Sequence, residues 1–120
     1  PYVNKRWTQR FYMYSEHFQG PGSPIFVVLG GEGAIEPSTG LFYPFITDTL
    51  ATAFGAFVLE PEHRFYGTSQ PVSVEEIAAA RKNGKEDPRV KLLTSEQALH
   101  DMERLVHVVI ADLGCSLDRF

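Results

Sequence analysis

Two stretches hold the residue types that could do chemistry. The first is Gly30-Gly31-Glu32-Gly33, which follows an apolar run directly. A glycine-rich turn can bring backbone N–H groups close to a ligand with no Cβ in the way, or it can simply make a turn that needs positive φ. The residues alone leave both readings open. A phosphate cradle fits poorly, because no Gly-Lys-Ser/Thr ending follows and Glu36 stands where a dinucleotide fingerprint needs a small residue. Glu32 would repel a phosphate, and Pro37 prevents a helix from starting at once. Donation to a developing oxyanion is the chemistry that such a turn could still supply.

The second stretch, Glu60-Pro61-Glu62-His63-Arg64-Phe65-Tyr66-Gly67-Thr68-Ser69, packs two acids, a histidine, an arginine and two aromatics beside a glycine turn. It reads either as a structural ion pair, with Arg64 anchoring a carboxylate or carbonyl and the aromatics capping a core, or as a wall facing a substrate. His63 has the chemistry of a general base, yet nothing at suitable spacing offers it a nucleophile, and Ser69 beside Gln70-Pro71 reads as a turn serine. His17, His100 and His107 are isolated, so no metal site or cofactor is expected. Cys115 is the only cysteine; it is either a free structural thiol or bonded to a segment outside the chain.

The elements that must position these stretches follow from periodicity. Residues 7–14 alternate polar and bulky side chains, which predicts an antiparallel edge or hairpin strand with one buried face. Ile25-Phe26-Val27-Val28-Leu29 is an unbroken apolar run, expected to be a strand buried on both faces. After a loop with Pro37 and Ser38-Thr39-Gly40, the residues Phe42, Phe45, Ile46, Leu50, Ala53 and Phe54 recur at helical steps, and Gly55 stands at the helix end. Ala56-Phe57-Val58-Leu59 predicts a second buried strand. Ser73 with Glu76 has capping-box spacing and opens a helix over residues 73–80; residues 81–90 read as a polar inserted loop. Thr94 with Gln97 repeats that spacing, and Ala98, Met102, Leu105, Val106, Val109, Ile110 and Leu113 mark one helical face up to Gly114. Strand and helix alternate as in a parallel sheet covered by helices, with both unusual stretches at the carboxyl ends of strands, where ligands gather.

Composition narrows the function classes. A net charge of -4 with acids and bases interleaved gives no nucleic-acid footprint. No apolar run approaches the roughly 18 residues of a membrane span. The start, Pro1-Tyr2-Val3-Asn4-Lys5-Arg6, has neither an apolar signal region nor an initiator methionine, so the true N-terminus is expected to lie upstream. With 120 residues, one small core is possible, but two inner parallel strands would leave sheet edges open. A fragment of a larger α/β domain is expected.

Four segments in order resemble one peptidase family: Thr8-Gln9-Arg10-Phe11-Tyr12; Gly22-Ser23-Pro24-Ile25-Phe26 running to Gly30-Gly31-Glu32-Gly33; Glu62-His63-Arg64-Phe65-Tyr66-Gly67-Thr68-Ser69-Gln70-Pro71; and Leu93-Thr94-Ser95-Glu96-Gln97-Ala98-Leu99-His100-Asp101. The chain is similar over nearly its whole length to the serine peptidase family of lysosomal Pro-X carboxypeptidase, dipeptidyl peptidase II and thymus-specific serine protease. The resemblance implies an α/β-hydrolase fold with an inserted helical domain, a Ser-Asp-His triad, and removal of residues next to proline at a peptide end. It places the nucleophile in a Gly-Gly-Ser-Tyr-Gly-Gly elbow beyond Phe120, so residues 1–120 would form a partial hydrolase domain without the triad. Gly31 and Glu32 would then offer the oxyanion-hole N–H, while Glu62, Arg64 and Tyr66 would line or brace the substrate side. Phe65 stands where the family often has tyrosine, and residues 81–90 are longer and more charged than expected. The implied partner is a peptide with proline near a terminus, the implied residence secreted or lysosomal, and a homodimer of the full-length protein is possible by the same route.

Two other readings stay open. An esterase or lipase uses the same strand-end geometry, and a truncated or degenerate homologue would bind a partner without doing chemistry. A transcript that continues into a Gly-x-Ser-x-Gly elbow separates the last from the others.

Overall fold

The computed structural model describes residues 6–36 and 43–115. Three strands form one mixed sheet in the order β1-β3-β2: β1 is Phe11–Tyr14, β2 is Ile25–Val27 and β3 is Phe57–Pro61. β1 runs antiparallel to β3, pairing Phe11 with Pro61 and Tyr14 with Val58, and β2 runs parallel to it, pairing Ile25 with Phe57 and Val27 with Leu59. The antiparallel partner expected of residues 7–14 is therefore β3, and the regular strand begins only at Phe11.

β3 is central, and every one of its residues is buried. Its side chains alternate between two faces, as strand geometry requires. Val58 joins Ala51 and Ala56 on one face, with Tyr14, Phe26, Val28 and Ile46 against them. Phe57 and Leu59 meet Val109 on the other, with Phe18, Ile25, Leu105, Val106 and Leu113 around them. Leu59 and Val58 are wholly removed from water. Burial of this kind contributes about 25 cal/mol per Å² of apolar surface.

β2 corrects the expectation of a strand buried on both faces. Its three residues are half-buried and Leu29 beyond it is 60% exposed, because the described sheet places β2 at an edge and gives the centre to β3.

The helix between β2 and β3 begins with a π-helical turn, Phe45–Leu50, that passes directly into α1, Ala51–Phe54. The wider turn displaces residues spaced by three and four from a common stripe. Thr47 and Ala51 are buried and Ile46 of the expected stripe packs against the core, while Phe45 and Phe54 of the same stripe are 66% and 59% exposed. Phe42, Pro37 and Ser38-Thr39-Gly40 lie outside the described residues. Gly55 ends α1 with φ 60°, the left-handed conformation that favours glycine.

α2, Val74–Lys82, carries the capping box expected of Ser73 and Glu76, with each side chain bonded to the other's backbone N–H. The polar segment after it is tied down. Asp87 caps a 3-10 turn, Pro88–Leu92, and the Arg89 guanidinium reaches both Asp87 and Glu76. α3, Ser95–Asp112, follows its cap Thr94, whose hydroxyl accepts from Gln97 N. Its Ala98, Met102, Val109 and Ile110 are buried, which is the face its periodicity predicts. No described helix is long and apolar enough to cross a membrane.

Candidate functional site

The glycine turn and the acidic stretch meet at the carboxyl ends of the parallel strands β2 and β3. Gly30 is required by close packing: a Cβ there would lie 2.5 Å from Pro61 O. The approach is to protein backbone. Gly31 and Gly33 have no atoms near an added Cβ and no positive φ. Residues 31–34 are exposed, and the N–H groups of Gly31 and Glu32 donate to no other described residue. A need for positive φ does not account for Gly31.

Glu62 lies where β3 ends and is fully buried. Oε2 accepts from Arg10 Nη2 at 2.7 Å and from Ile35 N at 2.9 Å. Oε1 accepts from the Ser69 hydroxyl at 2.7 Å and from the backbone N–H groups of Ser69 and Thr68, both at 3.1 Å. A buried carboxylate without such donors would be strongly disfavoured. Burial pushes the Glu62 carboxyl up, but Arg10, Ser69 and Ile35 outweigh it and hold the group below its ordinary value. The same residue closes its backbone on β1's entry, because Glu62 N donates to Arg10 O and Gln9 Nε2 donates to Glu62 O.

Gly67 exists for this carboxylate. Its φ is 49°, and a Cβ on it would overlap Glu62 Oε2 and crowd Arg10 Nη2. Ser69, which reads in the sequence as a turn serine, is wholly buried; it donates to Glu62 and accepts from Arg10 N at 2.8 Å. Its hydroxyl is thus committed to the fold.

Arg64 turns toward α3. Nε and Nη2 meet Asp101 Oδ2 and Oδ1 at 2.6 and 2.7 Å, and Nη1 donates to Leu92 O at 3.0 Å and Gln97 Oε1 at 3.3 Å. The Trp7 ring covers the guanidinium, its centroid 5.7 Å from Cζ. Glu62 and Arg64 are two residues apart but fasten different neighbours. Each makes an ion pair within the chain, Glu62 with Arg10 and Arg64 with Asp101.

Phe65 holds φ 68°, which is strained for a bulky side chain, and its N–H donates to Ser69 O at 2.7 Å. Tyr66 is half-buried and stacks edge-on against His63, with ring centroids 5.2 Å apart. His63 Nδ1 lies 2.8 Å from Arg64 O. A carbonyl only accepts, so Nδ1 is the donor in this bond. Among the described residues no hydrogen bond joins a histidine to a serine, threonine or cysteine, and no hydrogen bond or ion pair joins Gly31 or Glu32 to Arg64 or Tyr66. Nor do any three His, Cys, Asp or Glu side chains among them stand together to hold a metal ion. Cys115 is a free, half-buried thiol.

Arg10, Gly67 and Asp101 carry the geometry of this site without having been singled out for their chemistry, and Ser69, read as a turn serine, belongs to it too. Arg10 and Asp101 appear in the quoted segments only through family resemblance, and their partners are too distant in sequence for any local pattern to show.

The model of the family Serine carboxypeptidase S28 matches residues 1–115. Human thymus-specific serine protease is 40% identical over 78 residues, 64% of this chain and 15% of that protein. A probable serine protease of Arabidopsis thaliana, EDA2, is 34% identical over 102 residues, 85% of this chain and 18% of that protein. Mouse lysosomal Pro-X carboxypeptidase is 30% identical over 105 residues, 85% of this chain and 19% of that protein. The chain therefore spans less than a fifth of the length of these relatives.

Proposed function

Because the chain belongs to the Serine carboxypeptidase S28 family, we propose that it is the N-terminal part of a serine exopeptidase that cleaves next to proline at a peptide end. The observation that carries this reading is the family match over residues 1–115, joined to the relatedness with a lysosomal Pro-X carboxypeptidase, whose name states its substrate preference. Residues 1–120 are then a partial α/β-hydrolase domain, with the Ser-Asp-His triad and helical insert supplied by the rest of the full-length protein. The same relative supports lysosomal or secreted residence.

In this reading the exposed N–H of Gly31, with that of Glu32 beside it, donates to the oxygen of the tetrahedral intermediate. Donors of this kind act from about 2.7–3.1 Å, and losing one costs about 2.7–4 kcal/mol of transition-state stabilisation. The position after β2 at the carboxyl end of a parallel strand supports the assignment. Glu62 and Arg64 serve as braces beneath the substrate side, since both are buried and bonded within the protein. Of Glu62, Arg64 and Tyr66 only Tyr66 is partly exposed, which supports its contact with a peptide.

The test is hydrolysis by the full-length protein of an Xaa-Pro fluorogenic dipeptide, a peptide ending in Pro-Xaa, and a simple ester. Cleavage of either proline peptide, abolished by a serine-directed phosphonate, is the expected result and identifies which end is cut. Cleavage of the ester alone assigns the esterase reading, and a folded protein silent on all three substrates assigns a non-catalytic homologue.

A further inference from the structure

Resting on the peptidase reading, we infer that Glu62 is the positioning residue of the oxyanion loop, holding Gly31 and Glu32 in place without touching substrate. The exposed stretch 31–34 is suspended between two fixed points, and consecutive residues of β3's end supply both. At the near end Gly30 lies so close to Pro61 O that a Cβ would not fit. At the far end Ile35, itself buried, donates its N–H to Glu62 Oε2 at 2.9 Å. Between these points nothing lies within 4 Å of a Cβ built on Gly31 or Gly33, so the path of the loop is set by its anchors.

The anchor itself is rigid. Arg10 shares Oε2 with Ile35, while Ser69 and Thr68 hold Oε1 and thereby stop the carboxylate from turning about its own bonds. Gly67 leaves the space that this arrangement occupies. An oxyanion donor works by being in place before charge develops, and misplacement of about 1 Å costs about 100-fold in rate. A glutamate fixed on three sides and bonded to the loop backbone performs that positioning.

The experiment uses the full-length protein and two perturbations. Glu62→Gln keeps the side-chain size but turns a donor toward groups that are themselves donors; a backbone ester at Ile35, made by incorporating the α-hydroxy acid, deletes only the N–H that binds Glu62. Active sites are counted by exhaustive labelling with a fluorophosphonate, and kcat and KM are measured on a proline peptide the wild type cleaves. Arg89→Met, in the separate Asp87–Glu76 cluster, is the control for stability alone. In both perturbed proteins kcat per labelled site is expected to fall about 10- to 100-fold with KM changed less than about threefold. The control loses thermal stability at unchanged kcat. If Glu62→Gln does not fold, the ester variant decides. Unchanged kcat per site in the ester variant overturns the inference, whatever its melting temperature. Wild-type protein that neither labels nor cleaves instead overturns the peptidase reading, and with it the reaction that Glu62 would serve.

Discussion

Arg64 and Asp101 face each other side-on, Nε to Oδ2 at 2.6 Å and Nη2 to Oδ1 at 2.7 Å, across a gap of 37 residues in sequence. This pair joins the end of β3 to the second turn of α3, and the guanidinium is nearly sealed from water. Asp101→Ala leaves the arginine buried without its counter-charge and is expected to cost about 3 kcal/mol of stability. Asp101→Asn retains one acceptor and is expected to cost less. Thermal melts of the full-length variants check the order.

Gly67 and Gly84 separate two reasons for needing glycine. Both have positive φ, but nothing lies within 4 Å of a Cβ built on Gly84, whereas one on Gly67 overlaps the Glu62 carboxylate. Gly84→Ala is expected to cost about 1–2 kcal/mol, the strain of a left-handed residue. Gly67→Ala adds loss of the Glu62–Arg10 arrangement and is expected to cost at least about 3 kcal/mol more or to prevent folding. Equal stability of the two variants contradicts the steric role.

Acid tests the Glu62 cluster. Its carboxyl is held low in the folded chain despite burial, by Arg10, Ser69 and Ile35. A group depressed in this way contributes stability that is complete above its unfolded value, about 4.3, and that is lost as pH falls through the folded value. The difference in melting temperature between wild type and Glu62→Gln is therefore expected to hold steady from about pH 7 to about pH 5 and to shrink below about pH 4. A difference that grows on acidification contradicts this linkage.

The Ser73 cap is the simplest local test. Its hydroxyl accepts from Glu76 N at 3.1 Å while Glu76 returns a bond to Ser73 N, and α2 buries no residue that would mask the loss. Ser73→Ala is expected to cost about 1 kcal/mol. The readout is the midpoint of denaturant unfolding.

What the sequence made legible was local. The face of α3 from Ala98 to Ile110, the αL glycine after α1 and the Ser73 cap follow from spacing of a few residues. The buried run 56–59 identified a strand, but its central place required knowing that β1 and β2 both pair with it. The π-helical turn moved Phe45 and Phe54 outward because spacing alone does not report a change of helical pitch. At the site, the crowding of charge in residues 60–69 was visible, whereas the partners of Glu62 and Arg64 were not. Arg10 lies 52 residues from Glu62, and no periodicity spans that distance. Gln97 shows the limit most clearly: it occupies the N3 position of α3, yet its side chain turns to Arg64.

The most direct measurement is a crystal structure of the full-length protein inactivated by a prolyl phosphonate. If Gly31 supplies the oxyanion hole, the phosphoryl oxygen sits about 2.7–3.1 Å from Gly31 N, with Ile35 N still on Glu62. An adduct whose oxygen is held by other donors, with the loop over residues 31–34 turned away from it, contradicts the assignment of the site.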